Sequence, residues 1–255
     1  MGGLARRANL INAARADTAG ALLVVDSGNT LLGDTLSLKS EGRVTVDAMN
    51  LMGYDALGVG TGELIKGPEV LAARIAEAQF AVLSSNLVDS ASGEPLLEPY
   101  VIIDRGGVRV GVIGLTGTAA LYGLESQWPG VTILPPEETL SGYMDELRAQ
   151  SDLIVVLSQL GLDADKVLAT SVEGIDVIVG GNTRWLLTEA ETIGNTTIVQ
   201  AGYDGEWLGR LDLQGLPAEL AVTQYQILYM RPDVANDPAM AELVQRYYAE
   251  YPSEE

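Results

Sequence analysis

Four short turns in this chain combine glycine with a polar side chain in a way that could hold a ligand. They are Val25-Asp26-Ser27-Gly28-Asn29, Val59-Gly60-Thr61-Gly62-Glu63, Val156-Leu157-Ser158-Gln159 and Val179-Gly180-Gly181-Asn182-Thr183-Arg184. Their small residues let the backbone approach a bound group, and a side chain able to donate or accept follows. Asp26, Glu63, Asp163 and Asp165, with the amides of Asn29 and Asn182, are donors of the kind that calcium or magnesium takes, although their spacing matches no known loop. Arg184 and the glycine N–H groups suit a small anion such as a phosphate or carboxylate. A single turn of this type is an ordinary strand-to-helix connection, since such connections are short and glycine-rich. Four in one chain, each with a polar tip, point to a former or present site.

The elements that must position these turns alternate. Short β-branched runs predict strands over Ala21–Asp26, Ala56–Gly60, Phe80–Asn86, Val108–Leu115, Leu153–Gln159, Asp176–Gly180 and Thr196–Ala201. Helical periods fill Val44–Met52, Pro68–Ala78, Pro136–Gln150 and Asp163–Val172, with Pro68 and Pro136 in first-turn positions. This βα order predicts a largely parallel, buried sheet, with each of the four turns at a strand's carboxyl end, where open α/β sheets bind ligands. Arg105-Gly106-Gly107 reads as a hairpin turn, and Trp207–Leu213 with Leu220–Met230 forms a second antiparallel pair, so a mixed sheet or two packed sheets follow. A last helix starts at Asp237-Pro238 and carries the apolar stripe Met240, Leu243, Val244, Tyr247, Tyr251. The Pro252–Glu255 tail has nothing to pack.

The 255 residues contain no His and no Cys, which excludes imidazole acid–base chemistry, thiolate nucleophiles, disulfides and zinc–sulfur sites. Fifteen Lys and Arg against 35 Asp and Glu give a net charge of −20, which repels a phosphate backbone, so nucleic acid is not an expected partner. The charge suits solubility in a salty or extracytoplasmic setting. No apolar run approaches the roughly 20 residues of a membrane span. Met1–Ala16 spaces Leu4, Ala8 and Ile11 at helical period, which is not the pattern of an export signal.

The turns and the blocks between them together resemble the metallophosphatase (calcineurin-like phosphoesterase) domain of the 5′-nucleotidase family. Members carry Asp-x-His on a first strand, a stretch like Gly2-Gly3-Leu4-Ala5-Arg6-Arg7, then Asp-x-Gly-Asp, Gly-Asn-His-Glu, a strand ending in Ser-His, and Gly-Gly-His-Thr-His. Here the frame reads Asp26-Ser27-Gly28-Asn29, Gly60-Thr61-Gly62-Glu63, Ser158-Gln159 and Gly180-Gly181-Asn182-Thr183-Arg184. Connecting segments such as Asp47–Ala56, Val82–Leu87, Val110–Leu115 and Ile198–Gly202 are also similar. The likeness runs from Gly2 to about Met230. It implies an α/β fold, a four-layer α/β/β/α sandwich of two mixed sheets flanked by helices, without the usual first strand. Residues 1–230 would form that domain, and residues 231–255 a C-terminal helix and acidic tail that could begin a linker.

By position, the resemblance implies that Asn29 replaces a metal-bridging Asp, Thr61 a metal-binding Asn and Gly62 a His that would assist the leaving group. Gln159 replaces a metal-binding His, and Asn182 and Arg184 replace the two His of the last motif. Relatives use two divalent metals. Neutral amides are weak ligands for zinc or manganese without carboxylates, and Arg184 adds a positive charge, so no metal or other cofactor is expected. The reading is therefore an inactive binding or structural module, with a small anion or phosphate-containing ligand and further domains or a protein partner as the expected partners. The alternative is an active phosphoesterase with a rebuilt, histidine-free metal site. Location outside the cytoplasm, periplasmic or extracellular, follows from the resemblance alone. Asp26, Glu63 and Arg184 are the expected contacts for an anion or a residual ion. Arg184 either pairs with Asp26 or Glu63 in place of a metal or faces solvent on its loop.

Overall fold

The computed structural model describes residues 3–18, 21–215 and 220–252. Gly2, the first residue of the similar region, and the tail beyond Pro252 lie outside them. In chain order the elements are α1 (Leu4–Asp17), β1 (Val25–Asp26), α2 (Thr35–Lys39), α3 (Arg43–Met52), β2 (Ala56–Gly58), α4 (Thr61–Leu64) and α5 (Pro68–Glu77). Then follow β3 (Ala81–Leu83), β4 (Leu87–Asp89), β5 (Tyr100–Arg105), β6 (Val108–Leu115), β7 (Val131–Ile133), α6 (Pro136–Gln150), β8 (Leu153–Ser158) and α7 (Leu162–Ser171). The last are β9 (Val177–Gly180), β10 (Glu191–Ile193), β11 (Thr196–Val199), β12 (Trp207–Gln214), β13 (Ala221–Tyr229) and α8 (Pro238–Glu250).

The largest sheet has the order β10-β11-β9-β8-β6-β5. Its four inner strands run parallel, and β5 and β10 close it antiparallel. Every residue of the inner strand β8 is buried, as expected for a strand covered on both faces, and its Leu-Ile-Val-Val-Leu run supplies apolar side chains to each. The β5–β6 hairpin turns through Gly106 and Gly107 at φ 63° and 83°. Positive φ at both central positions is what a type I′ hairpin needs, and glycine adopts it without steric cost.

The expected second mixed sheet is instead divided. β1, β2 and β3 form a wholly parallel three-stranded sheet, while β12–β13 and β4–β7 are separate antiparallel pairs. Only Val25 and Asp26 of the expected Ala21–Asp26 strand pair with a neighbour. Just before them, among the described residues, Val24 bonds to Asp55 alone, accepting its N–H at 2.8 Å and donating its own N–H to the Asp55 side chain at 2.8 Å.

Three apolar clusters hold these layers. One joins the facing surfaces of the sheets through Ala56, Leu83, Val110, Val155 and Leu157. A second packs α6 and α7 on the six-stranded sheet through Leu140, Leu147, Leu168 and Ile178. The third packs α1, α3, α5 and α8 against the three-stranded sheet through Ile11, Met49, Leu57, Leu71 and Met240. α8 is anchored here as well, because Tyr247 donates its hydroxyl to Asp47 at 2.6 Å and Asp237 caps the helix at Met240 N–H.

Leu157 is fully buried between the two sheets. Leu157→Ala should therefore lower unfolding stability in urea by about 2–5 kcal/mol, the range for opening a cavity at a buried leucine, while exposed Leu38→Ala should stay within about 0.5 kcal/mol.

Candidate functional site

The carboxyl ends of β1, β2, β8 and β9 converge, and the four turns meet there. Glu63, the third residue of α4, organises them. It is 3% exposed, and its carboxylate accepts N–H bonds from Asn29 (2.8 Å), Thr30 (2.7 Å), Leu31 (3.0 Å) and Gly60 (2.8 Å). Burial pushes its carboxyl above the ordinary value, and these four backbone donors pull in the opposite direction. The loop after β1 and the turn after β2 are thus tied to one side chain.

Asn29 sits on this tie. Its side-chain oxygen accepts the Gly62 N–H at 2.6 Å, and its Nδ2 donates to Gln159 Oε1 at 2.7 Å. A Cβ at Gly60 would lie 2.6 Å from Asn29 Oδ1 and 2.8 Å from Gln159 Oε1, so the amides occupy the space that only glycine leaves. The Gln159 Nε2 is buried without a hydrogen-bond partner, and it lies 2.3 Å from where a Cβ at Gly181 would sit. Asn29, Asn182 and Arg184 all take left-handed backbone, at φ 59°, 68° and 58°. Asparagine tolerates this conformation; for Arg184 it is uncommon and marks a constrained turn.

Of the residues singled out in the sequence, Asn29, Gly62 and Gln159 are brought into direct contact. Thr61 lies beside them at the start of α4 and is exposed. Asn182 Nδ2 lies 3.9 Å from where a Cβ at Gly117 would sit. Arg184 does not pair with Asp26 or Glu63. Its side chain is 69% exposed, with its guanidinium 3.7 Å from Asp204 and over the Tyr203 ring at 5.1 Å. Both acids have other partners, which is the physical reason. Glu63 accepts the four backbone N–H groups already named. Asp26 accepts from Gly28 N–H at 3.0 Å and faces Arg7. Burial would depress the Arg7 guanidinium, but Tyr54 and Asp26 hold it above its ordinary value. Arg7 and Tyr54 were not singled out; the signal for Arg7 was its place in the Gly2–Arg7 block.

The hard-ion set does not assemble either. Asp163 faces solvent while Asp165 is buried, and Asp165 accepts the Ser158 hydroxyl. Among the described residues no three His, Cys, Asp or Glu side chains converge as a metal site would require. The donor set left at the strand ends is neutral amides bonded to each other and to backbone. It does not fit the two divalent cations that the resemblance implies.

These features keep the frame of a metallophosphatase site, and relatives decide the family. In a 249-residue alignment that covers 82% of this chain, it is 30% identical to the trifunctional nucleotide phosphoesterase protein YfkN of Bacillus subtilis. It is 28% identical over 261 residues to a 5′-nucleotidase of Vibrio cholerae. The chain belongs to the 5′-nucleotidase-like metallophosphatases. It spans 17% and 47% of those two relatives' lengths. No family model matches it. Among solved structures it superposes on a 5′-nucleotidase precursor from Thermus thermophilus with a TM-score of 0.88 at 29% identity, covering 97% of this chain and 53% of that one. It superposes on the sulfate thiohydrolase SoxB of Thermus thermophilus with a TM-score of 0.91 at 25% identity, covering 98% and 47%.

Two outcomes follow from this geometry. Arg184→Ala should change stability by less than about 1 kcal/mol in thermal unfolding, because its partners are exposed. Asp165 is fully buried, and desolvation pushes its carboxyl up to about 7 against the opposing Ser158 hydrogen bond. Its unfolded value is near 3.9. Between these values the unfolded chain ionises and the folded one does not, so stability is lost as pH rises from about 4 to 7, by at most ~1.4 kcal/mol per pH unit. Urea titrations across that range should show the slope in the parent protein and its reduction in Asp165→Asn.

Proposed function

We propose that this chain is a metallophosphatase-fold domain that no longer runs two-metal ester hydrolysis and serves as a binding or structural module. The observation that carries the reading is the Asn29–Gln159–Gly62 network: the positions that would face metal ions in relatives are hydrogen-bonded to one another. A two-metal reaction needs anionic or imidazole ligands to hold about four positive charges, and none of these three residues provides one. The activities for which the relatives are named, nucleotide phosphoester hydrolysis and 5′-nucleotidase action, are not assigned to this chain.

The partner class is a small anion or phosphate-containing group. Arg184 presents an exposed guanidinium at the turn that carries Gly180 and Gly181, and guanidinium and backbone donors suit such an acceptor ligand. Since the chain spans less than half of the curated relatives reported above, further domains or a protein partner belong to the same proposal. So does a location outside the cytoplasm, which suits the −20 charge. Among the described residues no helix is long and apolar enough to cross a membrane.

Elemental analysis of dialysed protein, run beside hydrolysis of p-nitrophenyl phosphate with added manganese, zinc or calcium, tests the reading. The expected result is less than ~0.1 metal per chain and no hydrolysis above buffer, given the charge that the ligand set has lost. Stoichiometric metal together with metal-dependent turnover would establish the active, rebuilt-site alternative.

A further inference from the structure

The outer edge of β13 is able to pair, and among the described residues no strand lies beside it. Across the β12–β13 sheet Trp207 stands opposite Tyr229, Leu208 opposite Leu228, Arg210 opposite Gln226 and Asp212 opposite Gln224. Met230 donates its N–H to the Glu206 carbonyl at 3.0 Å, one step beyond the Trp207–Tyr229 pair. Residues of an antiparallel ladder turn their backbone groups alternately toward the partner strand and away from it. Gln224, Gln226 and Leu228 therefore bond to β12, and Tyr225, Ile227 and Tyr229 turn their N–H and C=O groups outward. Among the described residues no hydrogen bond reaches those three N–H groups. Free edges of this kind are usually blunted by charge, proline or shortness. The other outer strands follow that rule: β5 carries Asp104 and Arg105, β10 is three residues long and carries Glu191, and β3 is three residues long. The run Gln224-Tyr225-Gln226-Ile227-Leu228-Tyr229 has neither charge nor proline, in a chain of net charge −20. At Thr223 the register with β12 shifts, which ends the regular edge there.

We propose that this edge joins a second copy of the chain, two β13 strands pairing antiparallel across a two-fold axis at Ile227 so that β12-β13-β13-β12 becomes one continuous sheet. An axis there sets Ile227 against its own copy and Tyr225 against Tyr229 of the second copy. All three outward residues of each chain then exchange N–H and C=O bonds. An axis at Tyr225 would instead set Tyr229 against Ala221, beyond the irregularity at Thr223. Tyr225 and Tyr229 become cross-strand aromatic neighbours, and Gln226 meets Leu228. No charged side chain opposes another along Gln224–Tyr229. That neutrality favours this edge for self-association, since a net charge of −20 repels a like chain wherever acidic surfaces face each other. A second copy also brings a strand of the same length and donor spacing, and the two-fold closes, so association stops at two. A helix or an apolar ligand would leave the outward N–H and C=O groups unpaired. The seam is small, so the dimer depends on concentration. This inference goes beyond the reading of the strand-end site and does not depend on whether that site is catalytic.

Sedimentation velocity of the whole chain tests this from about 10 to 500 µM, at ~0.01 M and ~1 M sodium chloride, where charges are screened beyond about 30 Å and about 3 Å. The expected result is a monomer–dimer equilibrium at high salt and association at least roughly tenfold weaker at low salt, where the copies repel. In the dimer the amides of Tyr225, Ile227 and Tyr229 should exchange more slowly with solvent, while those of Gln224, Gln226 and Leu228, already bonded to β12, should not change. Ile227→Lys and Ile227→Glu should each be monomeric, because like charges meet at the axis, and a one-to-one mixture of the two should dimerise again. Mixing does not rescue misfolded chains. If either variant fails to fold, Tyr229→Pro decides instead: it removes an outward N–H, leaves the bonds to β12, and should weaken association without lowering the melting temperature of the monomer. A monomer at every concentration and salt would overturn the dimer. Dimerisation that these variants leave intact, or no recovery on mixing the folded pair, would overturn the β13 seam.

Discussion

The carboxylate of Glu63 gathers four backbone N–H groups from two loops that are far apart in the chain, and the candidate site depends on that convergence. Backbone donors at the ends of parallel strands have no strand partner, so something must satisfy them when they are buried. One buried carboxylate at the first turn of α4 does so for Asn29, Thr30, Leu31 and Gly60 together, where the helix N-terminus also favours negative charge. With those loops fixed, Asn29 has little choice of position. Its amide falls between Gly62 N–H and Gln159, and the glycines at 60 and 181 leave room for nothing larger.

The electrostatics of the strand ends follow from the same constraint. Charges at this end of the sheet are neutralised in separate local sets: Glu63 by backbone, Asp26 beside Arg7 and Tyr54, and Arg184 against Asp204 and Tyr203. The amides in the centre need no counter-ion. The amide pair Asn29 and Gln159 is thus balanced by hydrogen bonding, in a region where an unpaired buried charge would be costly. Asp165 is the exception. It is buried with one oxygen unpartnered and relieves the strain by holding its proton to about pH 7.

The two sheets are unequal in how much they rely on themselves. The six-stranded sheet has its inner strands paired on both sides and helices on its outer face. The facing layer is built from a three-stranded sheet and a hairpin with a gap between them, and many of the side chains that reach the gap, such as Leu23, Val25, Leu211 and Leu213, are only partly buried.

Strand and helix identity was legible where the chain repeats a period. The β6 and α6 bounds agree with their expected ranges, Val108–Leu115 and Pro136–Gln150, because continuous β-branched or capped amphipathic runs define their own ends. The three-residue strands β4, β7 and β10 were not legible: unlike β2 and β3, which are fully or mostly buried, β7 and β10 have no fully buried residue and β4 continues directly from the expected Phe80–Asn86 run. Family membership was legible from the order of the turn motifs, and the residue types at Asn29, Thr61, Gln159, Asn182 and Arg184 are read from the sequence directly. What those residues touch was not. Sequence offered Arg184 two environments and left Asp26 and Glu63 as candidate partners. Only the folded chain decided, because a pairing across strands more than a hundred residues apart is set by the packing of the sheets and by which backbone donors reach a carboxylate first, and neither quantity is local to any stretch of sequence.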